Sequence, residues 1–479
     1  MRLFKIDGKG FKIVIYLALF LFFSYTGAFA AVIEVDINNG SCVSSSGQSD
    51  PYSVVYCDIE DAIADAVAGD TIEVSLGTYH PPGQLLIDKQ LTLMADPELG
   101  VEGPEPQPRP EIVIDYFSYV DCGIKFDADG IIFDGFDVQG VYGSGRYLVG
   151  DYGSPCDNWI IRNCDIHDTG HSITPSGSYG TIEKNNLHET RGDCINCQYG
   201  NCYGITVIGN WLHSHHTNSG KKPAGITYNC SSTNTDPVTI SYNYCWACRT
   251  FVDFQNNGGL APAGNIVVAH NTVDWWIGDL PAPPQETDLA QKMSIAWWTE
   301  DNDWNGPNFE IRDNLFTRQK WYMVVDTDLF LQGQITLQNC MFWEWYLADT
   351  MYPANAKDNE WPGPRGAVGW DDMGVGNEFV MTGCITDDPL YAGIGSNPDE
   401  YYALSGSGSP AYQAATDGTN IGAWQGLFPT PTPTLTPTPG TPTVTPTPFP
   451  IPSTDTKGAI ALVILFSILM ISNLFLRKN

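Results

Sequence analysis

The middle of the chain repeats a short pattern of apolar and polar positions. Each copy has an apolar residue, two variable residues, Asn or Cys, one more residue and a second apolar residue, as in Ile161–Ile166, Ile182–Leu187 and Val207–Leu212. The Asn or Cys position recurs at Cys164, Asn185, Asn210, Asn243, Asn271, Asn314 and Cys340, with a degenerate early copy at Phe136 and a late copy at Gly383. Short β-rich segments joined by Asn-containing turns at such spacing predict a solenoid. We expect Asn here because it tolerates the left-handed conformation and its side chain bonds nearby backbone.

Stacking these coils predicts an all-β chain, a parallel β-helix of about 10–11 coils over residues 31–426. Ahead of the repeats, Asp58 is a candidate N-cap for a short helix whose apolar face holds Ile59, Ala62, Ile63, Ala66 and Val67. Such a helix would cover the open end of the solenoid, which otherwise exposes a sheet edge.

Both ends of the chain have the composition of targeting segments. Residues 1–30 combine basic residues, an apolar run and the small-residue site Ala28-Phe29-Ala30, which predicts a signal peptide and export. Residues 427–457 form a Thr/Pro-rich linker, which predicts an extended stalk. Residues 458–476 are long and apolar enough to span a bilayer, and the basic residues of 477–479 predict a cytoplasmic tail. We therefore expect a cell-surface protein anchored in the membrane by its C-terminal helix, in a layout similar to bacterial surface-sorting signals. Whether that helix is retained or removed is open.

The formal net charge of −32 argues against nucleic acid or anionic lipid as a partner. The chain holds 13 cysteines, and an exported protein favours disulfides. We expect Cys164 and Cys340 to be buried packing thiols. The two C-x-x-C segments, Cys194–Cys197 and Cys245–Cys248, are compatible with disulfides or with halves of a zinc site.

The segments around the repeats resemble secreted right-handed parallel β-helix proteins, the pectin-lyase-like superfamily. The similarity lies in Cys57-Asp58-Ile59-Glu60-Asp61-Ala62-Ile63, in Ala68–Ile72 and Gly77–Tyr79, and near the C-terminus in Asp388–Leu390, Tyr402–Leu404, Gly408–Ala411 and Asn420–Ala423. The resemblance covers about residues 32–426 and implies a right-handed coil and a disulfide between Cys42 and Cys57. It is specific for the fold and not for the activity, because the superfamily includes lyases, hydrolases, epimerases and inert surface proteins.

Two polar columns follow the repeated Asn position. Three residues beyond it come His167, His188, His213 and Trp246, which strand alternation places on the outer face. Six residues beyond it come Arg191, His216 and Arg249. A neutral His beside a carboxylate can exchange a proton near neutral pH, and Arg can neutralise a uronate carboxylate. We name His188, Arg191, His213 and Arg249 as candidate catalytic residues of a lyase, and His167, His216 and Trp246 as candidate substrate contacts. The alternative is that stacked polar residues only decorate the outside of a solenoid.

Two further features bear on chemistry. Carboxylates at Asp165, Asp168, Glu189 and Asp193 make calcium a candidate cofactor. Two long inserts, Ile277–Asn305 and Tyr346–Asn377, carry aromatic residues that suit sugar stacking, and acidic residues that suit glycoside hydrolysis. The alternative is that these aromatic residues anchor loops that fold back. The aromatic candidates are Trp297, Trp298, Trp304, Trp361 and Trp370.

None of the motifs typical of alginate epimerases, polygalacturonases or pectate lyases is complete in this chain; Gly170-His171-Ser172 is a fragment of one polygalacturonase element. Two hypotheses remain. The first is a cell-surface protein that binds extracellular polysaccharide and cleaves it as a lyase or glycoside hydrolase. The second is a non-catalytic adhesin or structural surface module.

Overall fold

The computed structural model describes the β-rich part of the chain, with gaps. The described residues are 31–115, 121–140, 147–152, 155–197, 202–213, 224–229, 236–246, 248, 250–256, 266–274, 293–299, 309–317, 321–326, 335–343, 365–368, 380–385, 387–391, 398–405, 407–423 and 425. All of them belong to one compact unit, Met1–Gly426. The predicted signal peptide, stalk and C-terminal helix lie outside the described residues. Among those described, no helix combines the length and apolarity needed to cross a bilayer.

Thirty-three described strands form three long sheets. In spatial order, sheet A contains β2 (Val55–Tyr56), β1 (Val32–Val35), β3 (Thr71–Val74), β6 (Thr92–Ala95), β9 (Ile132–Asp134), β12 (Ile160–Arg162), β15 (Thr181–Glu183), β18 (Thr206–Ile208), β21 (Val238–Ser241), β24 (Ile266–Ala269), β27 (Phe309–Arg312), β30 (Ile335–Gln338) and β33 (Val380–Thr382). Sheet B contains β4 (Thr78–Tyr79), β7 (Glu111–Val113), β10 (Asp137–Gln139), β13 (Asp165–His167), β16 (Asn186–Leu187), β19 (Trp211–His213), β22 (Tyr244–Trp246), β25 (Thr272–Asp274), β28 (Leu315–Thr317) and β31 (Met341–Trp343).

Sheet C contains β5 (Leu85–Ile87), β8 (Cys122–Phe126), β11 (Tyr147–Gly150), β14 (His171–Thr174), β17 (Ile195–Cys197), β20 (Ala224–Asn229), β23 (Thr250–Asn256), β26 (Met293–Thr299), β29 (Trp321–Asp326) and β32 (Arg365–Val368). Within each sheet, neighbouring strands come from successive coils, and they pair in parallel, as in Ile161 opposite Ile182. The exception among the described pairs is β29 with β32, which is antiparallel. Three parallel sheets wound by successive coils define a parallel β-helix, as the repeat pattern predicts.

The helices are few and short. Among the described residues they are α1 (Ile59–Asp65), α2 (Pro398–Tyr401) and two 3-10 turns, Pro51–Ser53 and Pro97–Leu99. Helix α1 buries Ile59, Ala62 and Ile63. Asp58 precedes α1 in an extended conformation, but its side chain makes no capping hydrogen bond. The helix stops at Asp65, so Val67 lies beyond it and is exposed.

The repeated Asn residues form a continuous hydrogen-bonded ladder inside the coils. The backbone N–H of Asn185 donates to Asn210 Oδ1 at 2.9 Å, and that of Asn210 donates to Asn243 Oδ1 at 3.0 Å. The Asn271 and Asn314 side chains continue the series, and each of these Asn side chains is fully buried. Because buried amides must be hydrogen-bonded to avoid a desolvation cost, each Asn fixes its coil against the next.

The left-handed backbone conformation falls one residue earlier than we expect from the sequence. Positive φ angles occur at the residue before each ladder position: Asn163, Lys184, Gly209, Tyr242, His270, Asp313, Asn339 and Gly383. The ladder Asn is therefore placed by its hydrogen bonds and not by its tolerance of a left-handed conformation.

The register of the last coil corrects one ladder position. Strand β33 pairs Met381 with Leu337, which places Gly383 opposite Asn339 and Cys384 opposite Cys340. Gly383 also has the positive φ of the preceding turn position. The late copy of the ladder is therefore at Cys384 and not at Gly383, because the glycine supplies the turn.

The cysteines follow the sequence expectations in part. Cys42 and Cys57 form the disulfide that the family resemblance implies. Cys164 and Cys340 are fully buried in the core. The two C-x-x-C segments meet only in part: the Cys248 thiol lies beside those of Cys194 and Cys245, whereas Cys197 lies beside Cys202. Among the described residues, no cluster with metal-ligand geometry contains a cysteine, so the structure gives no support to the zinc interpretation.

The C-terminal segment, residues 387–425, packs against the outer face of sheet B. Tyr402 stacks on Tyr244 with ring centroids 5.6 Å apart and is buried with Trp211 and Trp246. Farther along, the backbone N–H of Ala423 donates to Thr272 Oγ1 at 2.9 Å. Among the described residues, this segment therefore packs on sheet B between β19 and β31.

Candidate functional site

The predicted His column exists as a stack of aromatic rings on sheet B. The ring centroids of His167 and His188 are 5.0 Å apart with an interplanar angle of 15°. Those of His188 and His213 are 5.1 Å apart at 5°, and those of His213 and Trp246 are 4.1 Å apart at 11°. The spacing is close to the ~4.8 Å strand separation, because each ring comes from one coil. We call the edges of His167, His188 and His213 the histidine strip.

Each histidine of the strip bonds a polar residue of the preceding coil. His167 Nε2 lies 3.0 Å from Asp137 Oδ1, and His188 Nε2 lies 2.8 Å from Asp165 Oδ1. His213 Nε2 lies 2.9 Å from the amide oxygen of Asn186. Each partner lies two residues before the position that pairs in register with its histidine. Both positions face outward, so every contact runs diagonally from one coil to the next. The diagonal contacts fix the ring orientations.

The three histidines differ in their hydrogen-bond partners. Burial lowers the pKa of His167, but hydrogen bonds to the Asp137 and Asp168 carboxylates outweigh it and raise the pKa to about 9. His167 is therefore an imidazolium at neutral pH. The next ring, His188, faces one carboxylate at hydrogen-bond distance, and His213 faces a neutral amide.

Two hydrogen bonds join neighbouring units of the strip. The Asn186 Nδ2 group donates to Asp165 Oδ1 at 3.1 Å, and the same carboxylate lies beside His188. The Asn186 amide oxygen in turn faces His213. The side chains of three consecutive coils are therefore connected through Asp165 and Asn186.

Trp246 differs from its expected role. It stacks in register with His213, as its position after the ladder predicts, but it is only 3% exposed. The C-terminal segment buries it together with Tyr402, so Trp246 closes the end of the histidine strip and is not open to a sugar ring.

The second cationic column is only partly described. Arg191 lies in the turn after Thr190, where its backbone N–H donates to Thr169 O at 2.9 Å. His216 and Arg249 lie outside the described residues. Trp297 and Trp298 lie not in an insert, as the sequence predicts, but in strand β26 of sheet C, where they pair in register with Phe254 and Gln255. Trp304, Trp361 and Trp370 also lie outside the described residues.

The calcium candidates separate into two groups. Asp168 and Glu189 come together with His167, and one ligand atom from each of the three lies within 4.8 Å of the others. Asp165 is instead engaged by His188 and Asn186, and Asp193 accepts the backbone N–H of Ala224 at 3.0 Å. Two carboxylates and one imidazole are a donor set that divalent cations accept, and the raised pKa of His167 sets a proton in competition with any such ion.

A second polar cluster, on sheet C, was not identified from the sequence. The backbone N–H of Asp193 donates to His171 Nδ1 at 3.0 Å, and Asn196 Nδ2 donates to Asp193 Oδ2 at 2.9 Å. Because Nδ1 accepts this hydrogen bond, the ring proton of neutral His171 belongs on Nε2. The sequence signal was present in Gly170-His171-Ser172, but the pairing of His171 with a residue of the next coil needs the register.

Comparison with solved structures gives matches of low identity. A structure described as pectate lyase Pel9A matches at 13% identity and a TM-score of 0.45, over 84% of this chain and 98% of that chain. A rhamnogalacturonan lyase matches at 12% and 0.35, over 66% and 74%, respectively. An alginate lyase from Paenibacillus sp. str. FPU-7 matches at 11% and 0.35, over 60% and 90%. No family model and no curated protein matches the chain. Similarities this low transfer no activity, so the functional argument rests on the histidine strip.

Proposed function

We propose that this protein binds an extracellular polysaccharide along the histidine strip. The observation that carries the proposal is the stack itself: three partly buried imidazoles in successive coils, each tied to a carboxylate or amide of the coil before. A polymer with regularly repeated hydroxyl groups suits a surface that repeats its polar groups once per coil. The β-helix is right-handed in this proposal, and residues 427–476 display it on the cell surface.

The cationic groups in and beside the strip are the feature that suits an acidic sugar. The His167 imidazolium offers a positive charge in a chain whose formal net charge is −32. Asp137 and Asp168 occupy both ring nitrogens of His167, so its charge would attract a uronate carboxylate without donating a hydrogen bond to it. The guanidinium groups of Arg191 and Arg249 would provide further cationic partners.

Cleavage is the enzymatic form of the proposal. The Asp165–His188 pair resembles a general base with its orienting carboxylate, since the two groups are 2.8 Å apart. In lyase chemistry, His188 would take the proton beside the uronate carboxylate. The carbon–hydrogen electron pair would form the new double bond as the glycosidic carbon–oxygen bond breaks, and the leaving oxygen would take up a proton. Glycoside hydrolysis by paired carboxylates such as Asp168 and Glu189 is the second form.

A non-catalytic surface module is the alternative. It is favoured by the way the rings shield one another and share their polar atoms with Asp137, Asp165 and Asn186. In that case the stack stabilises sheet B, and the solenoid acts as a rigid spacer for adhesion.

The test is binding and product formation by the full chain against a panel of neutral and uronate-containing polysaccharides. The variant His188→Ala/His213→Ala is compared with Thr181→Ala/Thr206→Ala, whose substitutions lie on sheet A in the same two coils. We expect at least a tenfold loss of affinity in the first variant and none in the second. Ultraviolet absorbance from an unsaturated uronate would identify a lyase, and new reducing ends without that absorbance would identify a hydrolase. Binding without product would identify a binding module, and equal binding by both variants would refute the proposal.

A further inference from the structure

The last described ladder positions place two cysteines directly above one another. Strand β33 pairs Thr382 with Gln338, and the isolated parallel bridge after the turn pairs Ile385 with Met341. The residue pairs on both sides therefore place Cys340 opposite Cys384 in adjacent coils. Parallel strands lie about 4.8 Å apart. That separation falls within the range of roughly 4.4–6.8 Å between the Cα atoms of bridged cysteines.

The two thiols already interact. Each thiol is close enough to the other to shift its pKa, and the Cys340 thiol donates to Ile311 O at 3.6 Å while the Cys384 thiol donates to Thr382 O at 4.0 Å. Backbone hydrogen bonds hold the surrounding chain in place: Ile385 N–H donates to Cys340 O at 3.0 Å, and Phe342 N–H donates to Ile385 O at 2.9 Å.

We propose that Cys340 and Cys384 are oxidised to a disulfide that joins the last two described coils. The ladder cysteine Cys164 differs, because its neighbours in the ladder are Phe136 and Asn185 and no thiol lies above or below it. The pairing is therefore specific to the C-terminal end of the ladder.

The two thiols differ in pKa and in exposure, and both differences suit this reaction. Hydrogen bonding from the Cys340 thiol lowers the pKa of Cys384 despite its burial, whereas burial raises the pKa of Cys340 well above its ordinary value. Cys384 is also partly exposed, whereas Cys340 is buried. The Cys384 thiolate attacks a small disulfide such as oxidised glutathione, forms a mixed disulfide and releases one thiol. The Cys340 thiolate then attacks Cys384 and releases the second thiol, so two electrons and two protons pass to glutathione.

The disulfide would close a long loop of the chain between Cys340 and Cys384. The residues between Cys340 and Cys384 include the second long insert with Trp361 and Trp370, and the C-terminal segment that covers sheet B begins at residue 387. A covalent link at the base of the insert would hold the coil from which this segment departs. It would contribute stability by restricting the unfolded chain.

The test is a peptide map of the full chain after incubation with oxidised glutathione. The protein is unfolded, treated with iodoacetamide without reductant, and digested. We expect a linked pair of peptides containing Cys340 and Cys384, which separates on reduction, whereas Cys164 is alkylated without reduction. Complete alkylation of both cysteines without reduction, or linkage of either one to a different cysteine, would overturn the proposal.

The variant Cys384→Ser supplies a second readout. In this variant Cys340 should be alkylated without reduction, as Cys164 is. Reductant should lower the melting temperature of the unsubstituted protein more than that of the variant, because Cys42–Cys57 is common to both. An equal drop would contradict the proposal, and the peptide map of the unsubstituted protein decides the matter even if the variant fails to fold.

Discussion

His167 Nε2 lies 3.0 Å from Asp137 Oδ1, and the two residues belong to adjacent coils of the β-helix. Together with Asp168, which lies 2.9 Å from Nδ1 of the same ring, Asp137 makes His167 a cation at neutral pH. This relationship depends on the stacking of coils, because Asp137 and His167 are 30 residues apart in sequence.

Replacing Asp137 should lower the pKa of His167. The variant Asp137→Asn removes one charged hydrogen-bond partner, so the pKa should fall from about 9 by on the order of 1 unit. Histidine ring resonances followed by nuclear magnetic resonance across pH 5–11 would measure the shift. The control is Asp127→Asn, an exposed carboxylate that is not among the groups raising the His167 pKa. An unchanged His167 pKa in Asp137→Asn would contradict the contact.

The same pKa shift predicts a pH dependence of stability. The folded-state pKa of about 9 lies above the ordinary value of 6.5, so the folded state holds the proton more tightly. The stabilisation should be complete below pH 6.5 and should be lost as pH rises through about 9. The free energy of unfolding of the unsubstituted protein, minus that of His167→Gln, should therefore fall across this interval. A difference that is constant from pH 6 to pH 10 would refute the prediction.

The buried ladder should be sensitive to a single substitution. Asn243→Ala removes the acceptor of the Asn210 backbone N–H and the donor to Val207 O, and it leaves both groups buried. We expect a loss of about 3 kcal/mol in the free energy of unfolding. Chemical denaturation measures it, with Thr239→Ala on the outer face of β21 as the control. Equal stability of the two variants would show that the ladder is not needed.

Tyr402 should hold the C-terminal segment on sheet B. Its ring is fully buried against Tyr244, so Tyr402→Ala should cost about 3 kcal/mol and admit water to Trp246. The measurements are denaturant unfolding and the wavelength of tryptophan fluorescence, which should shift to the red. Tyr412→Ala, at an exposed position of the same segment, should change neither. A red shift in Tyr412→Ala alone would place the contact elsewhere.

The sequence predicts much of this molecule because its pattern is periodic. The ladder residues from Cys164 to Cys340 and the stack of His167, His188 and His213 follow from alternation within each coil and from superposition of the coils. The pattern misplaces one ladder residue, since it assigns Gly383 where the structure has Cys384. A glycine supplies the left-handed turn at this point, and the pattern alone permits two alignments.

Other features of the structure do not repeat along the sequence. Trp246 is buried because a segment more than 150 residues later packs on it through Tyr402, and His270 contacts Asn420 O across 150 residues. The His171–Asp193 cluster joins different turns of neighbouring coils. Contacts of this kind depend on the three-dimensional register, which no local pattern of residues specifies.

The account depends most on the histidine strip as the surface that a polysaccharide covers. Modification of histidines by diethyl pyrocarbonate, read out by mass spectrometry with and without the polysaccharide that binds best, tests this directly. Bound polysaccharide should slow the modification of His188 and His213 several-fold and leave the exposed His80, in an earlier coil, unchanged. Unchanged modification of His188 and His213 under saturating polysaccharide, or protection at His80 alone, would contradict the account.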